Sequence, residues 1–460
     1  MAPVDQVKSF VRWGGRYGLT GALVRAGARK GDLHSRMVID PAVRADPYPI
    51  YAEIRARGPV TPSRFGLISA DHGVISEVLR TDTYRSGFPE TLPGGLGRVI
   101  AWARDPAVLG PVTPPSLLVV DGPEHLRYRR LVSKAFTARA VDALGGDVER
   151  IAADLLDRID SAGPVDLISA YAARLPVQVI AGVLGVPAAM QDTFLRWGQA
   201  LAPSLDLDIK YRTFRGYETA LRELNTWLLG HFETLRREPG DDLLSRVILA
   251  ARAEFARPEP DDTELTRSGN RAEHGPELDD TELTSLAGLV LAAGFETTVN
   301  LIGNATVQLL EHPEQLELLR AEPNRWANAV EEVLRFDSPV QNTGRHAARD
   351  TVLRGWAVQR NQFVLLCLAG ANRDPAVFAD PDRFDVTRAN AKEHLAFSAG
   401  SHYCLGAALA RLEGEIGLRL LFERFGGLRC AGTPVRRPTR ILRGYASLPV
   451  RLDAPAPART

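Results

Sequence analysis

The most continuous hydrophobic pattern in the chain lies between residues 280 and 311. Apolar side chains occupy nearly every face of this stretch, and Pro313 follows its end. At a rise of 1.5 Å per residue, a helix of this length would measure roughly 45–50 Å, which is enough to cross a globular domain. Asp279 and Glu282 have the spacing of a capping box at its start. The pattern therefore predicts a long, buried central helix.

Amphipathic patterns at helical spacing fill the region from residue 140 to residue 252, with Gly and Pro pairs between them. Runs typical of strands are fewer and shorter, and they occur at residues 60–69, 352–358 and 363–366. The last two runs are expected to form a hairpin whose turn uses Arg360 and Asn361, because asparagine tolerates the left-handed conformation.

Two segments interrupt these regular patterns. Residues 84–117 are rich in Gly and Pro, as is typical of a lid over a binding site. Further along, the string DDTELT occurs at 261–266 and again at 279–284, and only the second copy leads into an apolar helix. The first copy has no apolar run of its own to bury, so we expect an exposed, flexible insert at residues 257–275.

Composition narrows the possible functions. The 56 basic and 56 acidic residues give a formal net charge of +0, so no global field attracts nucleic acid. Cys367, Cys404 and Cys430 form no C-x-x-C pair, which argues against a disulfide framework or a zinc site and fits a reducing compartment. Neither an unbroken apolar run of membrane-spanning length nor a signal peptide is recognisable. A soluble, cytoplasmic protein is expected.

The N-terminal extension, residues 1–39, has a basic and amphipathic character. Its first 36 residues contain seven Lys or Arg against two acids. Apolar residues are interleaved with these charges, namely Phe10, Val11, Trp13, Leu19, Leu23 and Val24. A surface helix touching a membrane and a strap packed on the body would both have this pattern, and we favour the strap over membrane contact.

Cys404 is the cysteine with the most informative surroundings. Gly400 and Gly406 bracket it, so the backbone can turn tightly and a flat ligand can approach closely. Apolar residues then recur at helical spacing from Leu409 to Leu420, which places the thiol at a helix N-terminus, where a thiolate is stabilised. Outside such a setting, a lone cysteine is usually a small core residue.

The stretch FSAGSHYCLG at residues 397–406 resembles the haem-binding loop of the cytochrome P-450 family, F-G-x-G-x-H-x-C-x-G, and the family's L-A-R-x-E follows at 409–413. Ser398 stands where the family usually has glycine. The resemblance implies that Cys404 is the proximal thiolate ligand of the iron of haem b (iron protoporphyrin IX). Thiolate ligation favours cleavage of bound dioxygen. The implied haem-binding residues of the loop are Phe397, Gly400, His402, Cys404 and Gly406.

The central helix carries the string AAGFETT at residues 292–298. An acid followed by threonine inside a buried helix is costly unless it is used, although Thr297 could simply bond a backbone carbonyl and Glu296 could simply be paired. The string resembles the family's A-G-x-[DE]-T. The resemblance implies that Ala293 and Gly294 leave room for dioxygen beside the haem, and that Glu296 and Thr297 relay protons.

Further motifs resemble family positions. His125 and Arg129 lie four residues apart after an Asp-Gly-Pro sequence, and together with Arg345 they match residues that contact the haem propionates. Glu332 and Arg335 match the family's buried E-x-x-R pair, which a later arginine closes. Arg388 fits that third position better than Arg383, and both remain possible.

The resemblance covers about residues 40–452, followed by a tail at 453–460. It implies a mainly α-helical cytochrome P-450 fold with small β-sheets and haem between the long distal helix and the proximal Cys helix. The β-rich part would comprise residues 55–75, 338–366 and a terminal hairpin within 443–450. The implied reaction inserts one oxygen atom from O2 into an apolar organic substrate, with electrons from NAD(P)H.

The sequence contains no G-x-G-x-x-G and no flavin or iron-sulfur segment, so electrons would come from separate proteins, such as a ferredoxin and a ferredoxin reductase. A candidate basic patch for an acidic ferredoxin contains Arg127, Arg130, Lys134 and Arg411, although solvated helix faces look the same. Two alternatives stay open: a peroxide-driven, coupling or isomerising haem-thiolate enzyme, and a haem-binding sensor without turnover.

Overall fold

The computed structural model describes residues 3–87, 95–105, 107–255 and 278–453. Its helices are α1 (Pro3–Trp13), α2 (Leu19–Ala28), α3 (Leu33–Ile39), α4 (Pro41–Ala45), α5 (Tyr48–Ala56), α6 (His72–Arg80), α7 (Gly95–Ala103), α8 (Gly122–Ser133), α9 (Ala138–Asp142), α10 (Gly145–Asp157), α11 (Arg174–Val183), α12 (Gln191–Leu201), α13 (Tyr211–Arg237), α14 (Leu243–Phe255), α15 (Asp280–Glu311), α16 (Pro313–Ala321), α17 (Trp326–Phe336), α18 (Leu368–Ala371) and α19 (Ala407–Arg424). Its strands are β1 (Thr61–Ser63), β2 (Gly66–Ser69), β3 (Tyr84–Arg85), β4 (Pro164–Asp166), β5 (Thr343–Ala347), β6 (Thr351–Leu353), β7 (Trp356–Val358), β8 (Phe363–Leu366), β9 (Arg429–Cys430), β10 (Val435–Arg436), β11 (Tyr445–Ser447) and β12 (Pro449–Arg451).

Helix α15 is the central element, as the hydrophobic pattern predicts. The Glu282 N–H donates to the Asp279 carboxylate, and the Asp279 N–H donates to Glu282, so the predicted capping box is formed. The helix packs against α11, α12, α13, α17 and α19. Within the described residues it alone is long and apolar enough to span a membrane, but 61% of its most apolar window is buried inside the protein. Its hydrophobic character is therefore that of a core helix.

The largest sheet has the strand order β1-β2-β8-β5-β3, with β2 and β8 parallel and the other pairs antiparallel. The prediction of a hairpin between residues 352–358 and 363–366 is wrong. Strand β7 pairs with β6 through a turn at Arg354 and Gly355, both with positive φ, whereas β8 pairs with β2 and β5. Asn361 does adopt a left-handed φ of 67°, but it leads into the large sheet. Two successive left-handed residues suit a tight hairpin turn. The turn therefore forms at Arg354 and Gly355 rather than at Arg360 and Asn361.

The C-terminal strands also differ from the expected terminal hairpin. Strand β11 pairs with β10, while β12 lies between β4 and β9. Strands β11 and β12 therefore do not pair with each other: β11 pairs with the preceding strand β10, and β12 pairs with two strands from other parts of the chain. The predicted insert at 257–275 and residues 454–460 of the predicted tail lie outside the described residues.

The N-terminal segment is attached to the body through α13 and the loop before it. The Arg12 Nε donates to Glu218 Oε1 over 2.6 Å, and Ser9 donates to the same carboxylate. The Trp13 indole donates to the carbonyl oxygen of Ile209. These contacts hold one face of α1 against the body of the protein, as expected for a packed strap.

Candidate active site

An opening lies along the middle of α15. Ala293 is exposed and Thr297 is half-buried, although their neighbours Phe295 and Glu296 are buried. Helix α19 packs against α15, and Cys404, just before α19, is exposed as well. The structure therefore leaves small and reactive residues accessible in two helical segments that otherwise form core.

The backbone of the cysteine loop is closely constrained. The Cys404 N–H donates to the Phe397 carbonyl oxygen over 2.9 Å. Gly400 has a φ of +68°, and a Cβ there would lie 2.1 Å from the Leu79 carbonyl oxygen, so only glycine fits. At Gly406, in contrast, an added Cβ would meet only open space. The loop is held tightly on one side and is open beside the thiol.

Several groups act on the Cys404 thiol. Although part of the Cys404 surface is exposed, the protein packed around the loop desolvates the thiol and raises its pKa, whereas the Gly406 N–H and the cations of Arg129 and Arg411 lower it. Arg411 lies over the Phe397 ring, 4.5 Å from the ring centre, and ion-pairs through Nε with Glu331 at 2.8 Å. The effect of the surrounding protein is the largest, so the pKa of the thiol lies above its ordinary value, and the cations and the N–H oppose this rise by favouring the thiolate.

Ser398, the residue that departs from the family motif, adopts a left-handed φ of +63°, and its buried hydroxyl has no hydrogen-bond partner. We expect Ser398→Gly to raise the free energy of unfolding by about 1 kcal/mol, because glycine removes the left-handed strain and the unsatisfied hydroxyl. Urea unfolding of the purified protein would measure this change. Ser401→Gly, at an exposed position of the same loop, should give no gain. A less stable Ser398→Gly variant would contradict the strain argument.

Two histidines meet beside this loop. His125 of α8 is buried, its Nε2 has no hydrogen-bond partner, and its ring centre lies 4.2 Å from that of His402. His402 Nε2 is 3.0 Å from Asp121 Oδ1. Burial, with smaller contributions from His402 and Arg129, lowers the pKa of His125 to about 4. Arg129, one turn along α8, donates to the Tyr403 carbonyl oxygen. The neutral His125 keeps a free ring nitrogen for a ligand.

Arg345 of β5 is a buried cation without a compensating acid. It donates to Thr343 Oγ1 and to the Gly344 carbonyl oxygen, and no acidic side chain in the described ranges forms an ion pair with it. Burial lowers its pKa to about 10, with Asp121 acting in the opposite direction. A buried guanidinium in this state would be stabilised by a ligand carboxylate. His125 and Arg345 therefore fit a group that brings carboxylates into the site.

Glu296 and Thr297 have separate environments on α15. The Thr297 hydroxyl donates to the Ala293 carbonyl oxygen over 2.8 Å, and its oxygen can still accept a hydrogen bond. Glu296 is 1% exposed, and Arg437 Nε lies 2.9 Å from its Oε1, but the pair does not have hydrogen-bond geometry. Burial raises the pKa of Glu296 to about 7 against the effect of Arg437. The Glu296 carboxylate therefore has almost no direct contact with solvent, because α15 is covered at this position.

Two further polar residues accompany Glu296 that sequence reasoning missed. Asn300, one helical turn later, is fully buried, and neither atom of its amide has a partner. Arg437 lies in the wall of a cavity that also contains Arg44, Arg443 and Gly444. An asparagine inside an apolar helix and the closely spaced arginines at 436–443 were the signals in the sequence. Arg437 therefore borders both the Glu296 carboxylate and this cavity.

The E-x-x-R pair is fully buried. Arg335 donates through Nε and one terminal nitrogen to the two carboxylate oxygens of Glu332, over 2.7 and 2.8 Å. Arg388 Nε lies 3.2 Å from Glu332 Oε2, whereas Arg383 offers its backbone carbonyl oxygen to Arg335. The structure thus places Arg388, not the side chain of Arg383, in the third position.

The candidate basic patch is smaller than expected. Arg127 ion-pairs with Glu282 at the start of α15, and Arg411 ion-pairs with Glu331. The acids of neighbouring helices hold both side chains against the body, and each is only partly exposed. Arg130 and Lys134 are exposed.

Comparison with known proteins places the chain among bacterial relatives. The family model "Cytochrome P450" matches residues 111–440. "Putative cytochrome P450 140" of Mycobacterium tuberculosis is 46% identical, covering 99% of both chains. "6-deoxyerythronolide B hydroxylase" of Saccharopolyspora erythraea is 39% identical over 89% of this chain and 96% of that protein. Among solved structures, P450BioI in complex with an acyl carrier protein carrying hexadec-9Z-enoic acid has a TM-score of 0.78 at 29% identity, covering 90% of this chain and all of that chain.

The fold and the site define a haem-thiolate monooxygenase. The chain belongs to the cytochrome P450 family, and the predicted mainly α-helical fold of that family is confirmed. Proteins of this family bind haem b through a cysteine thiolate. The unpartnered nitrogen of His125 and the unpaired cation of Arg345 fit the carboxylates of that cofactor.

Proposed function

We propose that this chain hydroxylates an apolar organic substrate with one oxygen atom from O2, and that NAD(P)H supplies the electrons through a ferredoxin and a ferredoxin reductase in the cytoplasm. The observation that carries this proposal is the Glu296 and Thr297 pair beside the accessible middle of α15. A peroxide-driven enzyme or a haem sensor has less need of a proton donor there, and the pair favours oxygen activation over both.

The protein residues have distinct roles in this proposal. Cys404 binds the iron, and haem bound there supplies the binding and cleavage of dioxygen. His125, Arg129 and Arg345 hold the haem carboxylates by charge and hydrogen bonding. Thr297 presents a hydroxyl oxygen at the opening, with its own proton held on the Ala293 carbonyl. A water bonded to that oxygen would be oriented toward the reacting atoms.

Glu296 would reload protons from the cavity side of α15. Its pKa of about 7 lets it both accept and give up a proton near neutral pH. Arg437 lies between this buried acid and the cavity, so water bound at Arg437 and at the unpartnered amide of Asn300 would complete a path. The Glu296 carboxylate does not need direct exposure in this arrangement.

Arg437→Met should raise the pH at which Glu296 ionises by at least about one pH unit, because the cation that opposes burial is removed. Infrared titration of the carboxylic acid band, assigned by its loss in Glu296→Gln, would measure this. The assignment is needed because burial also raises the pKa of Glu413, to about 8. Arg437→Lys should restore most of the original midpoint. An unchanged midpoint in Arg437→Met would show that the charge of Arg437 does not influence the ionisation of Glu296.

The proposed substrate is apolar because aliphatic and small side chains border the opening. Leu289, Val290 and Ala292 are half-buried beside the exposed Ala293. Similar proteins act on apolar compounds: one relative is named as a 6-deoxyerythronolide B hydroxylase, and P450BioI was solved with a fatty acid on its carrier protein. For the redox partner, exposed Arg130 and Lys134 support an acidic ferredoxin.

Substrate binding and turnover can be tested in two successive experiments. A compound library, with fatty acids offered free and linked to an acyl carrier protein, is screened for ligands that displace the distal water in the holoenzyme spectrum. Hits are then incubated with ferredoxin, reductase and NADPH, and products are analysed by mass spectrometry. A product heavier by one oxygen atom supports the proposal. Binding without product under any electron supply would favour a sensor, and product only with added peroxide would favour the peroxide-driven alternative.

A further inference from the structure

The N-terminal helical segment exposes a row of apolar side chains. Helix α1 continues through a π turn at Gly14–Gly18 into α2, with helical backbone at both junctions. The most exposed apolar side chains of this segment are Val4, Val7, Phe10, Leu19 and Leu23, each between 41% and 58% exposed. The π turn takes up one extra residue, and this keeps the α2 leucines close to the face of the α1 valines. The row therefore runs along one side of the whole segment.

Helix α7 widens this row. Its Val99 and Trp102 are 46% and 51% exposed. Lys8 Nζ lies 5.4 Å from the centre of the Trp102 ring, and Arg12 donates to the Ala103 carbonyl oxygen, so α7 lies beside α1. Two elements that are distant in sequence thus contribute to one apolar surface, which we call the N-terminal apolar row. Large apolar side chains gathered in this way mark an interaction surface rather than scattered exposure.

The row is not left over from incomplete packing of the strap. The opposite face of α1 already contacts the body through Ser9, Arg12 and Trp13, which bond to Glu218 and to the Ile209 carbonyl oxygen. Tyr17 in the π turn is 2% exposed. Phe10 lies at the edge of the row, with its ring centre 5.3 Å from those of Trp13 and Tyr211. Because this face of the segment is anchored, the other members of the row are held outward.

Basic side chains outnumber acidic ones around the row. Apart from Arg12, which is paired with Glu218, the exposed or half-buried cations of the segment and of the α7 region are Lys8, Arg16, Arg25, Arg29, Lys30, Arg98 and Arg104. The acids nearby are fewer, and Asp105 is itself paired with Arg12 and Arg222. An exposed helical surface that combines apolar side chains with an excess of cations matches an anionic bilayer, which accepts apolar side chains at its interface and attracts cations.

We propose that the N-terminal apolar row docks this protein on an anionic membrane surface as a peripheral contact. A folded partner would need a complementary pocket to receive this exposed helical surface. A bilayer needs no such pocket and therefore fits the row better. The contact would place α7 at the lipid boundary. Membrane docking does not depend on the proposed reaction, and its test uses no turnover.

The test is sedimentation of the haem-loaded protein with vesicles. One set contains phosphatidylcholine alone, and the other contains equal parts phosphatidylcholine and phosphatidylglycerol, each at low and high salt. The protein should sediment with the anionic vesicles, less so at high salt. Val7→Glu with Phe10→Glu should lower the bound fraction at least about tenfold, because two charges enter the row. The matched control is Val352→Glu with Val435→Glu, at two exposed valines elsewhere, and it should bind like the wild type.

Trp102 provides a second readout. Its fluorescence should shift to shorter wavelength on anionic vesicles, and the shift should disappear in Trp102→Phe. Failure of the wild type to bind anionic vesicles, or equal binding by the Val7→Glu, Phe10→Glu variant, would overturn the proposal. Self-association of the wild type in gel filtration, abolished by that variant and without vesicle binding, would assign the row to a second copy of the chain and would also overturn it.

Discussion

Replacing Cys404 with histidine is expected to abolish monooxygenation, with a loss of at least about 100-fold, and to remove the thiolate-type absorption band of the reduced carbon monoxide complex. Imidazole can bind the iron, but it lacks the anionic sulfur that promotes cleavage of dioxygen. The measurement is the reduced carbon monoxide difference spectrum, taken together with the product rate.

The other two cysteines provide matched controls. Cys367 is buried and Cys430 is exposed, and both lie outside the haem loop. Cys367→Ser and Cys430→Ser should keep both the band and the product. A thiolate-type band that survived in Cys404→His, or vanished in Cys430→Ser, would show that the ligand was assigned to the wrong residue.

The second large effect is expected at Thr297. Thr297→Ala should retain haem and substrate binding but yield roughly tenfold less product per NADPH, because oxygen that is not protonated at the right atom leaves as peroxide or superoxide. Glu296→Gln should instead slow NADPH consumption about tenfold or more without lowering that ratio, since the hydroxyl remains and its proton supply does not. Product and NADPH are measured together with a verified substrate.

Thr298 offers the control for this experiment. Its hydroxyl also donates to a backbone carbonyl, that of Gly294, but the side chain is buried away from the opening. Thr298→Ala removes the same kind of intrahelical bond and should leave coupling unchanged. Wild-type coupling and rate in both Thr297→Ala and Glu296→Gln would instead support a purely structural role for the pair.

Local chemistry explains which features were predictable from sequence. The span of α15 and its capping box follow from an unbroken apolar pattern with matched polar ends, and the structure has both. The positions of Gly400 and Cys404 were likewise readable, because a tight turn requires particular residue types. Such features depend on neighbours in the chain.

Features that depend on distant segments were not predictable in the same way. Glu296 meets Arg437, which lies 141 positions away, so the burial of the acid could not be read from its own helix. The choice between Arg388 and Arg383 likewise depended on how the chain returns to Glu332. The hairpin at Arg354 was missed because β8 pairs with β2 and β5 instead of with β7. This choice of partners can be seen only in the assembled sheet.

We expect this protein to transfer one atom of dioxygen to its substrate. The most direct measurement is turnover of a substrate from the ligand screen under isotopically heavy dioxygen, with ferredoxin, reductase and NADPH. We predict that the product carries one heavy oxygen atom and that Thr297→Ala gives the same labelled product in lower yield per NADPH. A product whose added oxygen comes from water or peroxide, or no product from any ligand that displaces the distal water, would contradict the account.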